Sequence, residues 1–429
     1  MPPSASLGWV HPLRLHAEPS RVVVRPFHLS LQGQGSRKSR LEALVDAILA
    51  LDQAVVREEL DAVLGDFGAR HWQIEDVFDQ RFNQIAWQLK LDPVGITRET
   101  RRLIGGYFCH EYSYTAAAVM NPSVVRHPDQ SGLKEGSVRF IMAMRAVGEG
   151  HISSIAFREG IVTAGHDLAL HPQPQFSTAA LLAAAEPRSG INFLRRHRDS
   201  PISGTVIFPV TEAQCNGLED LRLVEFTHDD GSREWLGTYS AFGSHAMGSE
   251  LFRTSDFDHF ALEPIRGRSA HHKGLALFPR KIGGGYAMLG RHDGKNVHLI
   301  RSLTFTRWDE GDLLLEPQFP WELVQIGNCG APIELDEGWL VLIHGVGAMR
   351  KYAIGAVLLD KDDPAKVIGR TARPLLTAAE QDREGYVPNV IYTCGAIRVG
   401  EDQLFMPFCI ADSSICFGFF DIPTILNLL

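Results

Sequence analysis

Asn216-Gly217-Leu218-Glu219-Asp220-Leu221-Arg222 stands at the mouth of an apolar strand over residues 221–226. In an extended strand alternate side chains share a face, so Asp220 and Arg222 point one way and Glu219 the other. A carboxylate beside a guanidinium has a lowered pKa, so Asp220 needs desolvation or a bound substrate to act as an acid near neutrality. Taken alone, Glu-Asp-x-Arg also fits a surface salt bridge at a strand start. What decides is that this kind of opening recurs along the chain.

Polar strand openings, each followed by a Gly or Asp turn, start near Asn121, Glu219, Lys273, Asn328 and Asn389. The last four are spaced by about 54 to 61 residues. The longer gap after Asn121 leaves room for an insertion around 165–200. Short strands are predicted near 138–145, 152–157, 204–209, 235–240, 285–289, 297–302, 339–344, 353–359, 390–399 and 403–410. Turns such as Asp230-Gly231, Asp293-Gly294 and Glu337-Gly338 separate them. Four-stranded units at this period predict a mainly β fold, a β-propeller, and five openings predict five blades. A β-sandwich is the alternative, but it gives no reason for polar anchors to recur at one place in each unit. In a propeller they converge on a central funnel.

Ahead of the strands the pattern differs. Residues 1–38 are predicted as an N-terminal arm, with a strand near 21–25. Leu41, Leu44, Val45, Ile48 and Leu51 recur at helical spacing, as do Ile74, Val77, Phe78, Phe82, Ile85 and Leu89. Thr97 caps a third helix predicted to run toward Met120. The chain therefore divides into an arm (1–38), a helical region (39–120) and a propeller domain (121–429). The apolar stripes of the helical region suit its own core, a funnel rim or a homo-oligomer interface.

Composition narrows the partners. Of 429 residues, 45% are hydrophobic and 22% charged, which is ordinary for a globular chain. A net charge of −9 without a basic, aromatic-interleaved cluster argues against a nucleic-acid partner. Six scattered cysteines show no CxxC spacing, so neither a metal site nor a disulfide framework is expected, and a reducing compartment fits. No apolar run reaches membrane-spanning length, so no membrane partner is expected and a cytoplasmic location is.

Each predicted blade contributes a polar group: Arg145 with Ser154, Asp220 with Arg222, Lys273 with Arg291, His344, and Tyr392 with Asp412. Jointly they suit a carbohydrate pocket, in which carboxylates and arginines grip hydroxyls. Trp235, Tyr239, Phe242, Trp308 and Tyr392 are candidate faces beneath a sugar ring.

These motifs carry a resemblance. Leu218-Glu219-Asp220-Leu221-Arg222, Lys273-Gly274, Met288-Leu289-Gly290-Arg291, His344-Gly345-Val346 and Gly385-Tyr386-Val387-Pro388-Asn389 follow in the order of glycoside hydrolase family 130, over about residues 105–429. That family resembles this chain as a set of inverting β-mannoside phosphorylases and β-1,2-mannosidases on a five-bladed β-propeller. The resemblance implies that Asp220 is the general acid, protonating the glycosidic oxygen through the mannose 3-hydroxyl. It implies that Arg145, Ser154, Tyr392 and Asp412 line the mannose subsite, with Glu219 and Arg222 beside the acid. Lys273, Arg291 and His344 fall where phosphorylases hold phosphate.

The chain departs from the phosphorylase pattern at two positions, with Gln325 and Met247 where cations are expected. A phosphate dianion needs several charge-assisted donors to offset its desolvation. The leading expectation is therefore an inverting, exo-acting β-1,2-mannosidase on mannose-containing oligosaccharides, with no cofactor. An inverting hydrolase needs a base across the sugar, and Glu384, Glu322 and Glu250 are the candidates. The alternatives are a β-mannoside phosphorylase, with inorganic phosphate as co-substrate, and a non-catalytic glycan-binding propeller.

Overall fold

The computed structural model describes residues 8–29, 39–174, 176–244 and 246–429. Their contacts divide the chain into two units. One comprises residues 20–113 with 175–179, and the other residues 1–19, 114–174 and 180–429.

The smaller unit holds helices α1 (Arg40–Leu49), α2 (Gln53–Phe67), α3 (Ile74–Leu89) and α4 (Arg98–Tyr107). A capping box starts α1: the Ser39 hydroxyl accepts from the Glu42 N–H, and the Glu42 carboxylate accepts from the Ser39 N–H at 2.7 Å. Asp52 and Thr97 cap α2 and α4 with their side chains, accepting from the Ala54 and Thr100 N–H groups. Val45, Val56, Phe78, Phe82, Ile85 and Ile104 form a common core. The helix from Thr97 ends at Tyr107 rather than near Met120. Gly105-Gly106 weakens it, and Cys109–Ser113 then pairs as a strand with Val22–Pro26. α2 lies within the region expected to be helical, between its two apolar runs.

The larger unit is mainly β. Ala118–Arg126, Ser137–Val147, Ser153–Thr163 and Leu168–Leu170 form an antiparallel group. Gly217–Thr227, Arg233–Phe242, Met247–Thr254 and His259–Pro264 form the next. The expected insertion adds the strands Ile191–Arg195 and Leu181–Glu186 to the edge of this second group. A third runs from Ala276–Leu277 through Tyr286–Gly290 and Val297–Ser302 to Asp312–Leu315. The fourth contains Gln325–Asn328, Trp339–Val346, Tyr352–Leu359 and Val367–Arg370. In the last, Ile391–Tyr392, Gln403–Ile410 and Ser414–Asp421 are joined by Gly8–His16, a segment expected in the arm.

Apolar clusters bridge successive groups. Phe157 and Ile155 meet Leu223 and Trp235, Phe226 and Leu236 meet Met288 and Ile300, and Leu289 and Leu299 meet Trp339 and Val341. Leu340 and Ile354 meet Met406 and Phe408, and Val390 and Cys409 meet Met120 and Val147. The last group thus packs against the first. No described helix is long and apolar enough to cross a membrane.

Candidate active site

Every group of strands in the larger unit sends side chains to one polar cavity of ≈ 190 Å³. Asn121 and Arg145 come from the first, Asp220 and Arg222 from the second, and Lys273 and Arg291 flank strands of the third. The fourth supplies Gln325, His344, Arg350 and Tyr352, and the last Val390, Tyr392 and Asp412.

Local backbone irregularity aims the acids. The strand register slips between Glu219 and Arg222, and Asp220 lies in the bulge with φ 57°. A matching slip between Met120 and Ser123 holds Asn121 at φ 50°. Asp412, in the turn after Gln403–Ile410, has φ 48°. Asn and Asp tolerate this left-handed region better than other side chains, and bulges re-aim the residues they contain. Strict strand alternation would turn Glu219 away from Asp220. The bulge instead brings both carboxylates to Arg145, while Leu221 enters the core.

Arg145 donates to Glu219 Oε1 at 2.5 Å and to Ser153 Oγ at 2.8 Å, and its Nη1 lies 3.6 Å from Asp220 Oδ1. Lys273 Nζ donates to Glu219 Oε2 at 2.6 Å and lies over the Phe242 ring. Arg222 donates to the Tyr392 hydroxyl at 2.7 Å and to the Asp220 carbonyl at 3.0 Å. Asn121 Nδ2 donates to Asp220 Oδ1 at 2.6 Å. Burial works to raise the Asp220 pKa. Arg145, Arg222, Lys273 and the Asn121 bond outweigh it, and the carboxyl titrates below the usual aspartate range. Asp412 goes the other way: burial, then the charge of Asp220, pushes it up to about 6.

His344 is buried, with its ring 4.9 Å from that of Tyr392. Burial first, then Arg291 and Arg222, depress its pKa well below the ordinary histidine value. The neutral imidazole accepts from Arg291 Nη1 at Nε2, at 3.3 Å. Gly327 makes room for the ring: a Cβ there would lie 2.4 Å from His344 Cε1. Among the described residues Arg291 forms no ion pair, and Arg350 faces Asp412 without closing one.

Of the residues singled out from sequence, Arg145, Asp220, Arg222, Lys273, Arg291, His344, Tyr392 and Asp412 line this cavity. Glu219 lies behind it, holding Arg145 and Lys273. Ser154 does not reach it. Its hydroxyl bonds the Ala146 carbonyl, and the neighbouring Ser153 holds Arg145 instead. The candidate bases are elsewhere. Glu322 is fully buried against Arg370 at 2.6 Å and accepts from the backbone N–H groups of Gln318 and Phe319. Glu384 is exposed and outside the cavity lining. Glu250 is bonded to Tyr239 and Gln214. Among the candidate sugar-facing aromatics, only Tyr392 lines the cavity, since Trp235, Tyr239 and Trp308 belong to the core.

Asn121 and Arg350 were not named as site residues. Asn121 had been marked only as the first polar opening. Arg350 had a signal in an internal echo: Arg145-Ala146-Val147-Gly148-Glu149-Gly150-His151 against His344-Gly345-Val346-Gly347-Ala348-Met349-Arg350. Both heptapeptides end in the same turn, with φ 67° and 61° at Gly150 and His151, and 57° and 55° at Met349 and Arg350.

The family model Glyco_hydro_130, described as beta-1,4-mannooligosaccharide phosphorylase, matches residues 186–429. A 1,2-β-oligomannan phosphorylase from Thermoanaerobacter sp. is 32% identical over 238 residues, 54% of this chain and 76% of that one. A β-1,2-mannobiose phosphorylase from Listeria innocua is 31% identical over 232 residues, covering 52% of this chain and 63% of that protein. The solved structure of a β-1,2-mannobiose phosphorylase from Listeria innocua, in complex with β-1,2-mannobiose, superposes with a TM-score of 0.52 at 22% identity. That likeness in fold covers 73% of this chain and 92% of the other. With more than half of its length under the family model, this protein belongs to glycoside hydrolase family 130, whose members are enzymes that act on β-mannosides as phosphorylases or glycoside hydrolases.

Proposed function

We propose that this protein is an inverting β-mannoside phosphorylase that removes a terminal mannose from β-1,2-linked manno-oligosaccharides. In this reading the antiparallel groups are the blades of a five-bladed propeller, and the polar cavity is its substrate funnel. The cyclic succession of apolar clusters supports that architecture.

One observation carries the choice of nucleophile. Five cationic side chains line the cavity against two carboxylates, Asp220 and Asp412, and Arg291 has only the neutral His344 as a side-chain partner among the described residues. That excess of positive charge suits a phosphate dianion, which needs charge-assisted donors in place of its water. Inverting hydrolysis instead requires a carboxylate base opposite the acid, and Glu322, Glu384 and Glu250 all lie outside the lining. Phosphate needs no such base, because it arrives ionised. The names of the relatives favour the same choice.

In the proposed reaction Asp220, once protonated, supplies a proton to the glycosidic oxygen, relayed by the mannose 3-hydroxyl. The C1–O bond breaks as a phosphate oxygen bonds to C1 from the opposite face. The products are α-mannose 1-phosphate and an oligosaccharide one residue shorter. Phosphate also resolves the acidity of Asp220. A dianion near Lys273 and Arg291 offsets the positive field that keeps the carboxyl ionised, so its pKa rises when phosphate binds.

Hydrolysis is the second reading, favoured by Gln325, which lines the cavity where a cation was expected. Incubation with β-1,2-mannobiose, with and without phosphate, separates the two. Strict phosphate dependence with release of mannose 1-phosphate is the expected result. Free mannose formed at the same rate without phosphate would establish the hydrolase. Absence of turnover on any β-mannoside would favour the glycan-binding module.

A further inference from the structure

Cys409 is fully buried at the end of Gln403–Ile410 and takes no part in the reaction described above. Its Sγ lies 3.1 Å from Asn121 Oδ1 and 3.5 Å from Asp412 Oδ1. Asn121 in turn donates to Asp220. Two carboxyls of the cavity are thus joined through a thiol and an amide contributed by strands 288 residues apart.

We propose that Cys409 is a positioning residue for the acid: its S–H fixes the Asn121 amide with Nδ2 toward Asp220, and it links that amide to Asp412. This rests on the phosphorylase reading for its role in turnover.

The donor count gives the mechanism. A thiol has one proton and a weak acceptor sulfur. When Asp412 is protonated, its O–H donates to Sγ, the S–H donates to Asn121 Oδ1, and Asn121 Nδ2 donates to Asp220. Each donor in that order has one acceptor. When Asp412 ionises, it becomes a second acceptor for the same thiol proton and competes with Asn121. The amide then loses the contact that fixes its orientation, and the positioning of Asp220 loosens.

Asp412 is also faced by Asp220, by Arg145 from Ser137–Val147 and by Arg350 from the turn Ala348–Arg350. The two arginines favour its ionised form, while burial and Asp220 oppose it. The balance leaves it titrating near 6. The thiol itself is held protonated by burial, so it serves as a fixed donor and not as a nucleophile.

The test uses Cys409→Ala and Cys409→Ser in the full chain, with pH profiles of phosphorolysis and the infrared S–H stretch. Losing one buried hydrogen bond predicts a drop in kcat of about fivefold for Cys409→Ala, with serine recovering most of it. The ratio of kcat/KM at about pH 5.5 to that at about pH 7.5 should fall at least about twofold in the alanine variant. The Cys409 S–H band should lie at the low frequency of a donating thiol and move as Asp412 titrates, and Asp412→Asn should abolish the movement. A merely structural cysteine would lower Tm and leave the pH profile unchanged in shape, and that result would overturn the proposal. So would an S–H band that ignores Asp412→Asn. If the wild type turns over no β-mannoside, the phosphorylase reading fails, while the infrared measurement still decides the hydrogen-bond chain.

Discussion

Arg291 Nη1 approaches His344 Nε2 at 3.3 Å, so a cation and a buried imidazole stand together with no carboxylate between them. The imidazole stays neutral because burial and that same guanidinium oppose its charge. A neutral histidine accepts the arginine's N–H and so turns the guanidinium toward the cavity.

Arg291→Gln is therefore expected to weaken phosphate and spare the sugar. Losing a charge-assisted contact predicts a rise in phosphate KM of about 10- to 100-fold, with mannoside KM changed by less than about threefold. Initial rates against each substrate measure both.

Gly327→Ala tests the support of the same pair from behind. Gly327 has a strand backbone without positive φ, so the added methyl acts through its clash with the His344 ring. Overpacking of this kind costs about 1–3 kcal/mol. The phosphate KM should rise several-fold, and Tm should fall by a few degrees in a thermal melt.

Asp220→Asn preserves shape, and asparagine accepts the left-handed backbone at this position. In the proposed mechanism Asp220 is the general acid, and its loss predicts turnover lower by at least about a hundredfold. Calorimetric binding of the mannoside should persist. Near-normal turnover would remove Asp220 from its assigned role.

Asp412→Asn bears on stability. The folded carboxyl titrates near 6, above its unfolded value, so between about pH 4 and pH 6 the folded protein holds more protons than the unfolded chain. Its contribution to stability therefore falls as pH rises through that window. The variant should show a higher Tm than wild type at neutral pH and a flatter Tm profile between pH 4 and 6, at the expense of activity.

Glu322→Gln examines the carboxylate that first suggested a base. It is buried with Arg370 and two backbone donors. Leaving that guanidinium without its counterion predicts a loss of about 3–5 kcal/mol. The kcat per folded molecule should stay within about twofold of wild type, as read by denaturant melts and active-site titration.

Much of the cavity could be read from local chemistry. Lys273 and Arg291 sit beside strand ends, and Asp220 and Arg222 sit at a bulge, all places where a polar residue breaks an apolar pattern. Asn121 was obscured because the start of Ala118–Arg126 reads as the tail of the helix from Thr97, and a strand buried along nearly its whole length shows no alternation to correct that. Glu219 was turned the wrong way by strict alternation, since a bulge has no signature in residue type alone. Ser153 and Ser154 are chemically identical, and only the register against Val147 and Ala146 distinguishes the one that holds Arg145. Glu322 attracted attention as a carboxylate near Gln325, and its partner Arg370 comes from a distant strand. Such pairings depend on which strands neighbour one another, and that information is not local.

Gly8–His16 pairs with Ser414–Asp421, so the outermost strand of that sheet and its partner lie far apart in the sequence. On the ribosome Gly8–His16 must wait, unpaired, until Ser414–Asp421 has been made. An open edge held that long invites association with other nascent chains. The late closure of so long a loop also makes this pairing the natural slow step of refolding.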